Sequence, residues 1–200
     1  MRTTQFRHCA TDPVFFASRK CKIGIPAREV LLRYALQQAS LEPMVRAIRY
    51  RKASDILPQQ VSLTGVVLNR VDGNFLLKVC ERRPYRSEEE AARLDYALKS
   101  NGLHLLERDA IDIKREPLFS NARAVWSHHR YDVPLMDTLK IASALGEGDE
   151  PQSILELKKR ANTTCDILAA LCALACENLV ELNIDRYRLG PFTIVRQGRR

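Results

Sequence analysis

Residues 61–84, VSLTGVVLNRVDGNFLLKVCERRP, constrain the fold more than any other stretch. Two arms rich in β-branched and large apolar side chains flank Asp72-Gly73, and Asp-Gly is the strongest short hairpin signal. Arms this apolar need burial, so the spacing predicts a central β-pair running to about Cys80. Beyond Cys80 the chain turns abruptly polar and basic.

The elements around the hairpin alternate in type. Residues 26–40 read as a helix, with Pro26 at a first-turn position and Val30, Leu31, Tyr34, Ala35 and Leu36 forming an apolar stripe. Glu29 falls in its first turn, where a carboxylate interacts well with the helix dipole. Glu42-Pro43 ends this helix, because the residue before proline avoids the helical region. Residues 45–51 alternate as a strand, and 54–60 connect it to the hairpin. Ser87 and Glu90 have capping-box spacing and open a helix that runs to about Lys99, closed by Asn101-Gly102. A short strand at 103–107, an irregular stretch at 109–114 and helices at 118–131 and 134–145 follow. Strand pairs interleaved with helices make this an α/β arrangement with the hairpin central.

Residues 146–151, GEGDEP, are acidic and free of apolar residues, and we read them as a linker. They divide a domain over 1–145 from a smaller unit over 152–200. The order in that unit is helix (152–160), helix (165–177), strand (179–184), basic turn (185–188) and strand (189–195). It suits a winged-helix-like unit, or a subdomain that covers the main sheet. Its second helix is almost wholly apolar, which argues against its reading bases in a groove.

Charge bears on function. A net charge of +8 in 200 residues, with 46% apolar and 28% charged, describes a folded basic protein suited to a polyanionic partner. Arg46, Arg49, Arg51 and Lys52 precede the hairpin, and Arg82, Arg83 and Arg86 follow it. Lys158, Lys159 and Arg160, with Arg186 and Arg188, form a second basic group. Each run fits either phosphate contact, independent of base sequence, or a solvated face. The six cysteines have no compact disulfide spacing, and Cys172 with Cys176 fit a buried helix face better than a metal site. No apolar signal region opens the chain and no long apolar run is present, so the expectation is a cytoplasmic protein with free thiols and no membrane partner.

The pattern Ile25-Pro26-Ala27-Arg28-Glu29-Val30-Leu31-Leu32, the segment 69–78 (NRVDGNFLLK), and the helix, glycine turn, strand and asparagine-bearing helix of 87–106 and 109–121 together resemble the PD-(D/E)XK nucleases. Among these the chain is most similar to the TnsA-like endonucleases of heteromeric bacterial transposases, whose C-terminal part the 152–195 segment also resembles. The resemblance implies a restriction-endonuclease-like mixed sheet flanked by helices. It also implies four catalytic positions: a helix glutamate, an acid ending the first hairpin strand, and an acid two residues before a lysine on the next strand. Such acids hold divalent metal and the lysine stabilises charge on phosphate. Glu29 matches the helix glutamate, but Gly65, Lys78 and Cys80 stand at the other three positions. Glycine offers no ligand, an ammonium repels Mg²⁺, and a thiol suits a hard cation poorly. Asp72, in the turn, lies roughly 20 Å along the arms from them.

The resemblance therefore implies a DNA-binding, catalytically degraded endonuclease fold that needs no cofactor. Its role would be accessory to DNA recombination or transposition, with a transposase or ATPase subunit as partner, and Lys78 would meet phosphate instead of holding metal. Two alternatives stand beside it: an active Mg²⁺-dependent endonuclease with relocated ligands, and a protein-interaction module that retains the fold.

Overall fold

Alternation along the strands builds a mixed four-stranded sheet whose two faces are both covered. A computed structural model describes residues 15–52, 61–146 and 151–198. The 54–60 connection and most of the 146–151 linker lie outside the described residues. The sheet runs β3 (Val45–Arg51), β4 (Gly65–Arg70), β5 (Gly73–Cys80), β6 (His104–Asp109). The first two pairings are antiparallel and the third is parallel, with Leu77 opposite Leu106 and Lys78 opposite Glu107.

Side chains on successive residues point to opposite faces, and each face meets a different helix. Ile48, Val66, Leu68 and Leu77 form one cluster with Leu31, Ala35 and Leu36 of α1 (Val30–Leu41). Leu76 joins Leu63, Leu103 and Leu98 on the other face, Leu98 coming from α2 (Glu88–Ser100). This double coverage explains the nearly unbroken apolar arms of the hairpin.

Local chemistry sets the boundaries. The α2 capping box forms as expected: Glu90 N donates to Ser87 Oγ at 3.2 Å and Ser87 N to Glu90 Oε2 at 2.9 Å. The hairpin turn sits one residue earlier than the sequence pattern indicates. Gly73 already pairs with Arg70, so Val71 and Asp72 form the loop, and Gly73 takes the positive φ of 141°. Glu29 is the residue just before α1, not part of its first turn, and its side chain makes no capping bond. Pro26 is not a first-turn residue either, because Ile25–Pro26 is a short strand, β2, paired with β1 (Phe15–Phe16). The stretch read as irregular contains a one-turn helix, α3 (Ala110–Ile113), with Asp109 and Asp112 as its own capping box.

The last core draws on residues before and after the 146–151 segment. α4 (Leu118–Ser127) and α5 (Leu135–Gly146) contribute Ala122, Val125, Ile141, Ala144 and Leu145. β7 (Gln152–Ser153), α6 (Ile154–Ala161), α7 (Ile167–Cys176), β8 (Val180–Leu182) and β9 (Ile194–Gln197) supply the rest. Strand order in the small sheet is β7-β9-β8. β9 begins at Ile194, later than the strand expected from 189, because Gly190 and Pro191 lie in a turn. Nine of the ten residues of α7 are buried. Burial pushes the Cys172 and Cys176 thiols up to about 12, so both are inert core residues. Trp126 packs against both large clusters and stacks on Phe16 at 5.1 Å between ring centroids, tying the two parts together.

Candidate nucleic-acid interface

β3 ends, β4 begins and β5 and β6 end along one rim of the sheet: Arg51 lies opposite Gly65, the β4–β5 register continues to set Gly65 level with Lys78, and Cys80, two residues on, lies opposite Asp109. Alternation from buried Leu76 puts Lys78 and Cys80 on the α2 face, with Glu107 and Asp109 opposite them on β6. Gly65 belongs to the same group: a Cβ built on it would stand 4.0 Å from Lys78 Nζ. The structure thus brings Gly65, Lys78 and Cys80 together. Glu29 precedes α1, the helix packed on the opposite face, and is exposed.

The backbone at Gly65 matters as much as its missing side chain. Its φ of 146° is one that residues with a Cβ rarely adopt. An aspartate there would have room, since its Cβ meets nothing closer than Leu76 Cδ1 at 3.7 Å, but it would strain the strand start. Lys78 fills the adjoining space and donates from Nζ to the Thr64 carbonyl at 3.0 Å. Burial, followed by the neighbouring Arg86 charge, lowers the Lys78 pKa, while Glu107 opposes the shift.

The carboxylates beside Lys78 are engaged. Arg86 grips Glu107 with both terminal nitrogens, one of them at 2.9 Å, and this pairing holds the Glu107 carboxyl below its usual range. Arg83 reaches Asp112 at 2.7 Å and Asp109 at 3.5 Å. The Cys80 thiol is pushed up by burial and then by Glu107 and Asp109, and it faces the Arg108 carbonyl at 3.8 Å. A divalent cation does not fit this donor set. Position 65 supplies no oxygen, position 78 is a cation, position 80 is a protonated thiol, and arginine neutralises the flanking acids.

The basic residues separate into three groups. Arg83 and Arg86 form the ion pairs just described. Arg51 donates to Asn101 Oδ1 at 2.6 Å, and Arg46 lines a cleft of about 650 Å³ beside Lys20, Glu177 and Glu181. Arg49, Lys52 and Arg82 are exposed and make no ion pair among the described residues. By strand alternation Arg49 shares the α2 face with Lys78. Glu107 and Asp109 carry no motif that places them in the sequence, because only the parallel β5–β6 register sets them beside Lys78 and Cys80, and Asp112 joins them from α3. The Asp109-to-Asp112 capping spacing was the one local signal.

No helix among the described residues is long and apolar enough to cross a membrane. Cys21, Cys80, Cys165, Cys172 and Cys176 form no disulfide. Comparison with protein-family models, curated proteins and solved structures finds no match to this chain.

Proposed function

We propose that the chain is a DNA-binding protein built on a catalytically degraded, TnsA-like endonuclease fold and accessory to DNA recombination or transposition, with a transposase or ATPase subunit as its protein partner. The helix, three strands, helix and strand from α1 to β6, in spatial order β3-β4-β5-β6 with one parallel pair, support the restriction-endonuclease-like reading. The series α5, β7, α6, α7, β8, β9 with sheet order β7-β9-β8 supports a winged-helix-like C-terminal unit.

The observation that carries the functional reading is the inversion of charge at the sheet rim. The Lys78 ammonium lies 3.0 Å from the Thr64 carbonyl, at a position where the resembled family places an acid. Exposed Arg49, Lys52 and Arg82 extend the positive surface. Cations so placed meet phosphate oxygens without selecting base sequence.

The test is incubation of the purified chain with supercoiled plasmid in Mg²⁺ or Mn²⁺. The expected result is no nicking above a protein-free control. Nicking that disappears in Glu29→Ala would overturn the proposal in favour of an active endonuclease with relocated ligands.

A further inference from the structure

Arg108 points away from the rim. It lies opposite Val79 in the β5–β6 register, so alternation sets it on the α1 face of the sheet, opposite to Lys78 and Glu107. It is half-buried, and its one side-chain hydrogen bond among the described residues is long, 3.4 Å from Nη2 to the Asp112 carbonyl. Burial lowers its pKa, Glu42 and Asp112 oppose that shift, and the nearby Arg115 charge adds to it. A guanidinium stays charged throughout. Arg108 is therefore a half-buried cation beside a like charge, with no ion pair among the described residues, a costly arrangement until an anion meets it.

Arg108 opens onto a cleft of about 700 Å³, formed where α1, β6 and the α3–α4 turn meet β8 and β9. Arg115, Arg186 and Arg196 also line it, all exposed and none in an ion pair among the described residues. The acids of the cleft are Glu42, Glu181 and Asp185. Glu42 is taken by Arg70 at 3.1 Å. Glu181 stands opposite Arg196 in the β8–β9 register, and its charge also reaches Lys20 in the neighbouring cleft. Four arginines against three acids, one already paired, leave the cleft positive.

Its walls are held from both sides. Buried Gln38 of α1 donates from Nε2 to the Ile113 carbonyl at 2.7 Å, which fixes α3 and so places Arg115. Asn121 of α4 holds the β8–β9 loop, residues 183–193, through the Ile184 and Tyr187 carbonyls and the Leu189 amide. The volume is that of a small-molecule site. Leu41, Leu118 and Leu182 give it apolar wall, and no aromatic ring lines it to stack a base. Arg108, Arg115 and Arg196 come from three elements and approach from different sides. A diphosphate offers oxygens in several directions, whereas a carboxylate offers two in one plane.

We propose that this cleft binds a small molecule carrying a diphosphate, with Arg108, Arg115 and Arg196 on the phosphate oxygens and the leucines against its carbon skeleton. The experiment is isothermal titration calorimetry of the full chain with inorganic pyrophosphate and with succinate, at constant ionic strength. The proteins compared are wild type, Arg108→Gln, Arg115→Gln, Arg196→Gln and, on the remote α2 surface, Arg93→Gln. Arg115 and Arg196 are exposed, so their variants should unfold at the wild-type temperature even if Arg108→Gln does not.

Wild type should bind pyrophosphate saturably and succinate at least about tenfold more weakly. Arg115→Gln and Arg196→Gln should each weaken pyrophosphate binding about tenfold, the loss of one charge-assisted hydrogen bond, and Arg93→Gln should not change it. No saturable binding, equal affinity for succinate, or wild-type affinity in both exposed variants would overturn the inference. Displacement of pyrophosphate by a random duplex, with duplex affinity lost in Arg115→Gln, would also overturn it, because the cleft would then be a nucleic-acid contact. Failure of the chain to bind duplex leaves this inference standing and counts only against the DNA-binding reading.

Discussion

Replacing Asn121 with leucine should destabilise the protein by about 3 kcal/mol. At the size of this chain, that lowers the thermal midpoint by roughly 6–12 °C. The carboxamide satisfies three backbone groups 63 to 68 residues away in sequence, and it is buried while doing so. Leucine fills a similar volume but leaves the Ile184 carbonyl unpaired in the interior, the costly case for a polar group. The Tyr187 and Leu189 groups lie nearer the surface and can recruit water, which keeps the total below three full penalties. Asn121→Asp supplies the finer test, because it preserves the acceptor for Leu189 N and loses both donations. At neutral pH it should be no more stable than Asn121→Leu, because a buried carboxylate oxygen then faces the Ile184 and Tyr187 carbonyl oxygens. Circular dichroism melts of the three proteins check the order, and equal midpoints would show that the loop is not anchored through this side chain.

The second large effect is expected at Asp137. This carboxylate is 2% exposed and accepts four hydrogen bonds from the α6–α7 connection. Thr164 donates from its amide at 3.2 and 3.1 Å and from its hydroxyl at 2.8 Å, and the Cys165 amide donates at 3.1 Å. These bonds, led by that of the Thr164 side chain, favour the charged form and lower its pKa from 3.8 to about 2. A folded-state pKa below the unfolded one adds stability that is complete above about pH 4 and is lost as the pH falls through about 2. Asp137→Asn cannot make the same set of charge-assisted bonds and does not titrate. Urea unfolding of both proteins should therefore show a clear deficit for the variant at neutral pH. That deficit should close as the pH falls from about 4 to 2, and a constant deficit down to pH 2 would contradict the assignment.

What the sequence revealed follows the range of each interaction. The hairpin arms, the Ser87-to-Glu90 box and the apolar faces of α1 and α2 are set by neighbours within a few residues, so pattern and propensity display them directly. β1, β2 and β7 have two residues each, too short for alternation to register. Gly190 and Pro191 interrupt a stretch that otherwise looks apolar enough for a strand.

The candidate interface divides in the same way. Gly65, Lys78 and Cys80 stand at positions that the resemblance to the PD-(D/E)XK nucleases implies, and their proximity follows from the hairpin itself. The pairing of Arg86 with Glu107 spans 21 residues and depends on which strand lies beside β5. Arg83 and Arg86 read in sequence as free cations, yet the fold commits both to carboxylates. That leaves Arg46, Arg49, Lys52 and Arg82 as the exposed remainder of the predicted group, with Arg46 lining the cleft beside Glu177 and Glu181. Asn121 and Asp137 carry no local signal that separates them from ordinary polar residues, and the basic turn at 185–188 shows its charge in sequence but not its anchoring.

The most direct measurement of the central claim is the affinity of the full chain for a random duplex as salt is raised. Four phosphate contacts at the rim, from Lys78, Arg49, Lys52 and Arg82, predict that log K falls linearly against log salt with a slope of about −3.6. No binding at low salt, or binding that does not respond to salt, would contradict the account.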